Sequence, residues 1–194
     1  MARPRAFDEG AVLDAALRCF WERGYEATSV RDLAASMGLT GASLYNAFGD
    51  KHALYERALA RYATDSVGER IRRLEASGLA PRAAIAGFFA EVVERSDDPQ
   101  MKGCMVVNAA VELGPHDPQI RAAAAATLGE IEAFMARQVA AGQKDGSLSR
   151  RQTPQDTARM LLAVLLGIRV LARTRPDRAT LEAAIRPALA ALDP

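Results

Sequence analysis

The sequence predicts an all-α protein with two units. A short N-terminal three-helix unit carries a helix-turn-helix, and a larger helical unit follows. Three observations carry this. Alanine and leucine dominate a chain of 194 residues that lacks β-branched alternation. Breakers recur at Gly24, Gly38, Gly49, Gly78/Pro81, Asp97-Asp98-Pro99, Gly114-Pro115, Gly142 to Gly146, Thr153-Pro154 and Arg175-Pro176, dividing it into about nine helices. Residues 28–48 have the spacing of two short helices meeting at a tight turn.

The first helix is expected over residues 8–23. Asp8 caps it, Gly24 supplies a positive φ past its end, and Val12, Ala15, Ala16, Cys19 and Phe20 form its apolar stripe. Ser29-Val30-Arg31-Asp32 reads as an acidic capping box opening the second helix, which stops before Gly38. The third runs from Thr40 to near Phe48, and Asp50 caps a fourth that continues toward Ala76. Five more are expected near 81–95, 103–113, 118–141, 154–175 and 178–192. Pro81, Pro118 and Pro154 fall in first turns, with Asp117 and Thr153 as caps before two of them. The division is expected at residue 50, with a short unit over 1–50 and a larger helical one over 51–194.

Composition narrows function by exclusion. Hydrophobic residues make up 49% and charged residues 25%, enough for a sizeable core without metal or disulfide staples. Cys19 and Cys104 form neither a zinc signature nor a disulfide framework, and no cofactor motif is visible. No signal peptide opens the chain, and the apolar run Met160–Leu171 is too short to span a bilayer and contains Arg169. A cytoplasmic protein with no membrane partner is expected. The net charge of +1 does not announce a nucleic-acid binder, so DNA binding must rest on where charges sit.

In residues 28–48, Ala34 is small where the helices cross, Gly38 permits a positive φ, and Leu33, Leu39 and Leu44 fill the angle between them. The second helix of the pair then offers Thr40, Gly41, Ala42, Ser43, Tyr45 and Asn46 to a major groove. Ser43 and Asn46 have base-edge chemistry, and Ala42 or the Thr40 methyl suits a thymine methyl. Gly41 allows close backbone approach. Tyr45, Thr28, Ser29 and Lys51 are candidate sugar or phosphate contacts, Lys51 lying at a helix N-terminus. Arg3 and Arg5 form a tail able to reach a groove.

Two rivals remain at this point. A thiol enzyme needs a nucleophile beside a base, yet His52 and His116 are the only histidines and neither neighbours Cys104 in sequence. A pure interaction module would keep the bihelical corner without reading DNA.

Phe7-Asp8, Val12 to Ala16, Phe20 to Tyr25, Thr28 to Ala34, Gly38-Leu39, Ser43-Leu44-Tyr45, Phe48, Lys51 and Leu54 resemble the N-terminal domain of TetR/AcrR-type repressors, continuously over about residues 5–59. The resemblance implies an all-α homodimer that binds double-stranded palindromic operator DNA. It also implies a small-molecule pocket in the C-terminal half and a dimer bundle built from the last two long helices. It carries DNA contact onto Thr28, Thr40, Gly41, Ala42, Ser43, Tyr45, Asn46 and Lys51. In one departure, many members have an aromatic and then a histidine after Leu-Tyr, where this chain has Asn46-Ala47. The histidine contact is therefore absent, and Asn46 alters which base is read. Lys102 to Asn108 and Pro115 to Pro118 resemble a subgroup associated with reactive or lipophilic compounds.

For the effector, Met105, Asn108 and Glu112 are expected on one helical face, with Phe88, Phe89 and Met135 closing an apolar pocket beside them. Cys104, at a helix start two residues after Lys102, reads either as a reactive thiol or as a small buried hydrophobe. His116 reads as loop and Asp117 as cap rather than as metal ligands. Because Met160–Leu171 is apolar all round, Leu162, Leu165, Leu166 and Arg169, with Leu181 and Ile185 of the last helix, are expected at a two-fold dimer interface.

Overall fold

A computed structural model describes residues 8–96, 102–175 and 177–194. Arg3, Arg5 and Phe7, the Asp97-Asp98-Pro99 break and Pro176 lie outside the described residues.

Nine helices follow one another among the described residues. They are α1 (Glu9–Arg23), α2 (Val30–Met37), α3 (Gly41–Phe48), α4 (Lys51–Tyr62, Ala63–Gly68 and Glu69–Ala76), α5 (Pro81–Glu94), α6 (Met105–Glu112), α7 (Pro118–Asp145), α8 (Pro154–Thr174) and α9 (Arg178–Ala190). The caps are where the sequence places them. Asp8 accepts from the Gly10 and Ala11 amides. Ser29 and Asp32 form a reciprocal capping box. Asp50, Asp117 and Thr153 accept from Ala53, from Gln119 and Ile120, and from Asp156.

Helix α4 departs from expectation. Its middle, Ala63–Gly68, is a π-helical segment inside an otherwise continuous rod. The run Thr64-Asp65-Ser66-Val67-Gly68 consists of weak helix formers, which lowers the cost of widening there.

Packing produces two cores, and they do not divide at residue 50. The proximal core joins α1, α2, α3 and the first half of α4 to α6 and the start of α7, through Phe20, Leu33, Leu44, Leu54, Tyr55, Met105, Ala109 and Ile120. The distal core joins the end of α4 to α5, α7, α8 and α9, through Ile71, Phe88, Phe134, Leu161, Leu181 and Ile185. Helix α6 thus belongs by sequence to the C-terminal half and by packing to the N-terminal one.

The all-round apolar helix resolves into two sides. Leu161, Leu165, Ile168 and Ala172 of α8 face the distal core. Leu162 and Leu166 are half-buried, Ala163 and Gly167 exposed, and Val170 is 55% exposed.

Candidate nucleic-acid interface

The α2–α3 corner is built by burial on one side and capping on the other. Leu33 and Leu44 are fully buried, and Ala34, Met37 and Phe48 close the same core. Gly38 holds φ 64°, ψ 28°, and its N–H returns to the carbonyls of Ala34 and Ala35. The Thr40 hydroxyl accepts from the Ser43 amide at 3.1 Å and lies 2.9 Å from the Ser43 hydroxyl, capping α3. Anchored through Leu44 and Phe48, α3 turns Thr40, Ala42, Tyr45 and Asn46 to solvent. Tyr45 is 50% exposed, unusual for a large aromatic with no role in the fold.

Lys51 opens α4 beside this face. Its ammonium stands 4.1 Å from the centre of the Tyr25 ring. Tyr25 in turn packs edge-on against Tyr55 at 5.0 Å. Tyr25, which the sequence reading leaves without a role, is therefore the platform that orients Lys51. Ser29 is exposed, but its hydroxyl is engaged with Asp32 at 2.5 Å.

Thr28 is corrected. Its residue is fully buried, and its hydroxyl donates to the Gly24 carbonyl at 2.6 Å. It closes the α1–α2 turn and has no surface to offer a phosphate.

The turn itself is held from the other half. Gly24 adopts φ 84°, ψ 174°, and the Glu112 carboxylate accepts the N–H groups of Tyr25 at 3.1 Å and Glu26 at 2.9 Å. Nearby, His52 Nε2 lies 2.5 Å from Asp117 Oδ2 while Asp117 also caps α7. That hydrogen bond raises the His52 pKa above its ordinary value. The Ile120 amide and then His52 lower that of Asp117. Neither link has a local sequence signal, because each joins residues more than sixty positions apart.

The seven residues expected around an effector do not meet in one pocket. Phe88, Phe89 and Met135 are packed into the distal core, with Phe88 and Phe134 ring centres 5.7 Å apart. Cys104 and Met105 lie in the proximal core. Cys104 is 8% exposed, beside the Tyr62 hydroxyl, whose pKa is raised first by burial. Lys102 lies over the Trp21 ring and 4.0 Å from Glu22. Asn108 and Glu112 alone of the seven line a surface groove, of about 530 Å3.

The dimer set is corrected too. Leu165, Arg169, Leu181 and Ile185 are buried within their own chain, and only Leu162 and Leu166 retain partial exposure. An apolar run with no polar face carries no phase, so periodicity could not tell inner from outer. Among the described residues, no group of three or more His, Cys, Asp or Glu side chains is placed to hold a metal ion. No helix among them is long and apolar enough to cross a membrane.

An all-helical chain with a capped, solvent-facing third helix on a helix-turn-helix defines a class of DNA-reading proteins. Residues 12–58 match the family described as "Bacterial regulatory proteins, tetR family", and residues 81–188 match "Tetracyclin repressor-like, C-terminal domain". The chain is 31% identical over 195 residues to the "Uncharacterized HTH-type transcriptional regulator YezE" of Bacillus subtilis (strain 168), covering 100% of each. It is 33% identical over 121 residues to the HTH-type transcriptional repressor ComR of Escherichia coli (strain K12), covering 61% of this chain and 57% of that protein. A solved cysteine mutant of the TetR family transcriptional regulator CifR, complexed with 26-bp double-strand operator DNA, superposes with a TM-score of 0.86. The two are 33% identical, covering 98% of this chain and 100% of that one. The chain belongs to the tetR family: it is a helix-turn-helix transcriptional repressor and not an enzyme.

Proposed function

We propose that this repressor binds a palindromic double-stranded operator as a homodimer and is controlled by a small-molecule or reactive effector acting on its C-terminal half. The observation that carries the reading is α3, held by buried Leu44 and Phe48 while Tyr45 and Asn46 project into solvent beside Lys51. The CifR structure with operator DNA supports it.

The contact set is Ser29, Thr40, Gly41, Ala42, Ser43, Tyr45, Asn46 and Lys51. Asn46 reads a base edge, Ala42 approaches a thymine methyl, and Tyr45 and Lys51 hold sugar and phosphate. Two copies of α3 enter successive major grooves roughly 34–36 Å apart. The two-fold face is the outer side of α8, Leu162, Ala163, Leu166, Gly167 and Val170, where small residues let helices approach closely. Effector binding acts through α6, which packs on the N-terminal helices and grips the α1–α2 turn through Glu112. No cofactor or membrane partner is required, and the protein works in the cytoplasm.

Selection of bound duplexes from random DNA tests this reading. An enriched inverted repeat with half-sites about one helical turn apart is expected. Absence of any enriched sequence at low salt overturns the operator reading.

A further inference from the structure

Between the end of α1, the outer face of α6 and the end of α8 lies the groove of about 530 Å3, a volume suited to a small ligand. Its floor includes Arg169. This arginine is 8% exposed, lines the groove, and has no hydrogen-bond or ion-pair partner among the described residues. A second cation, Arg70, lies close enough to feel its charge and is itself paired with Glu91 at 3.1 Å. The residue is buried, but its guanidinium nitrogens open onto the groove and meet no protein acceptor among the described residues, so their donors are available to an anion.

The groove's own carboxylates do not serve it. Glu112 is occupied by the amides of Tyr25 and Glu26. Glu22 lies 4.0 Å from Lys102. Arg173 is spoken for at 3.0 Å by Asn108. Arg23 is paired with Asp32 at 2.9 Å, and the apolar part of the wall is Trp21, Val107 and Val111, with Val170 and Thr174 at the α8 edge.

We propose that this groove binds a monocarboxylate with an aliphatic or aromatic body, its carboxylate on the Arg169 guanidinium and its body against Val107, Val111 and Trp21. A planar guanidinium matches a carboxylate in two parallel hydrogen bonds. Glu22 and Glu112 on the rim repel a dianion, so a phosphate monoester is disfavoured. The proposal deepens the ligand-responsive reading, since the bound molecule touches α1, α6 and α8 together, but binding itself does not depend on operator recognition.

Trp21 is the only tryptophan of the chain, so its emission reads the site directly. The full-length protein is titrated with octanoate and, in parallel, with octanol. A saturable change with octanoate is expected, with octanol weaker by about tenfold or more. Arg169→Met weakens octanoate by about tenfold or more and leaves octanol unchanged, and Arg169→Lys falls between. Should Arg169→Met fail to fold by circular dichroism, Val107→Glu keeps Arg169 and places a carboxylate in the half-buried wall. It too loses octanoate by about tenfold or more. Equal binding of octanoate and octanol, equal binding by wild type and variants, or no saturable response because a partner subunit closes the groove each overturns the proposal. Operator binding is measured on the same samples. Octanoate binding without DNA binding refutes the repressor reading alone, and the converse refutes this one alone.

Discussion

The Glu112 carboxylate accepts the backbone N–H of Tyr25 at 3.1 Å across 87 positions of sequence, and so fastens the last residue of α6 to the turn that leads into the helix-turn-helix. Without it, the amides of Tyr25 and Glu26 depend on solvent. Glu112→Ala should cost about 1–2 kcal/mol in urea unfolding, at the low end for bonds to a charged group because the site is partly exposed. Operator affinity should fall with it, since the turn positions Tyr25 under Lys51. Stability and affinity both unchanged would show the link to be incidental.

Gly24 is the other half of that contact. It holds φ +84°, and a Cβ there would stand 3.1 Å from a Glu112 carboxylate oxygen. Gly24→Ala should therefore destabilise by about 1–3 kcal/mol through backbone strain and displacement of Glu112. In a double-mutant cycle with Glu112→Ala the two costs should not add, because they disrupt one contact.

His52 and Asp117 couple α4 to α7 at 2.5 Å, and the sign of the pH dependence follows from the two shifts. The His52 pKa is raised, so its contribution is complete below about 6.5 and is lost as pH rises through the raised value. The Asp117 pKa is lowered, so its contribution holds above the ordinary carboxylate range and is lost only in acid. Thermal midpoints of wild type and His52→Gln, compared from pH 6 to pH 9, should converge as pH rises. A constant difference across that range would mean the pair does not titrate with folding.

The outer face of α8 should tolerate no charge if it meets a second copy. Leu166→Glu changes a half-buried position without entering the distal core. Light scattering should report one chain's mass for this variant and two for wild type. A wild-type monomer, or a Leu166→Glu dimer, would remove this face from the interface.

Much of the architecture is legible locally. Ser29 with Asp32, Asp50, Asp117 and Thr153 announce helix starts because a cap is a short-range hydrogen bond between neighbours in sequence. The corner around Gly38 is legible because the positive φ and the flanking leucines lie within a dozen residues. What escapes is long-range or phase-dependent. Thr28 has phosphate-binding chemistry in sequence, and only its burial against Gly24 removes it from the surface. Leu165 and Leu166 are indistinguishable until α8 is laid on α7 and α9. Met105 and Glu112 share a helix face, but one enters the core and the other crosses to the α1–α2 turn. The π-helical stretch at Ala63–Gly68 has only weak propensity to announce it.

If α3 reads DNA, it does so through side chains the fold does not need. Tyr45, 50% exposed, tests it with Leu44, fully buried one position earlier, as the contrast. Leu44→Ala should lose about 2–5 kcal/mol of stability. Tyr45→Ala should stay within about 0.5 kcal/mol of wild type. The decisive measurement is the affinity of folded Tyr45→Ala for a selected operator duplex by fluorescence anisotropy. A loss of about tenfold or more at unchanged stability is expected. Wild-type affinity in that variant and in its Tyr45→Ala/Asn46→Ala double would contradict the assignment of α3 as the reading helix.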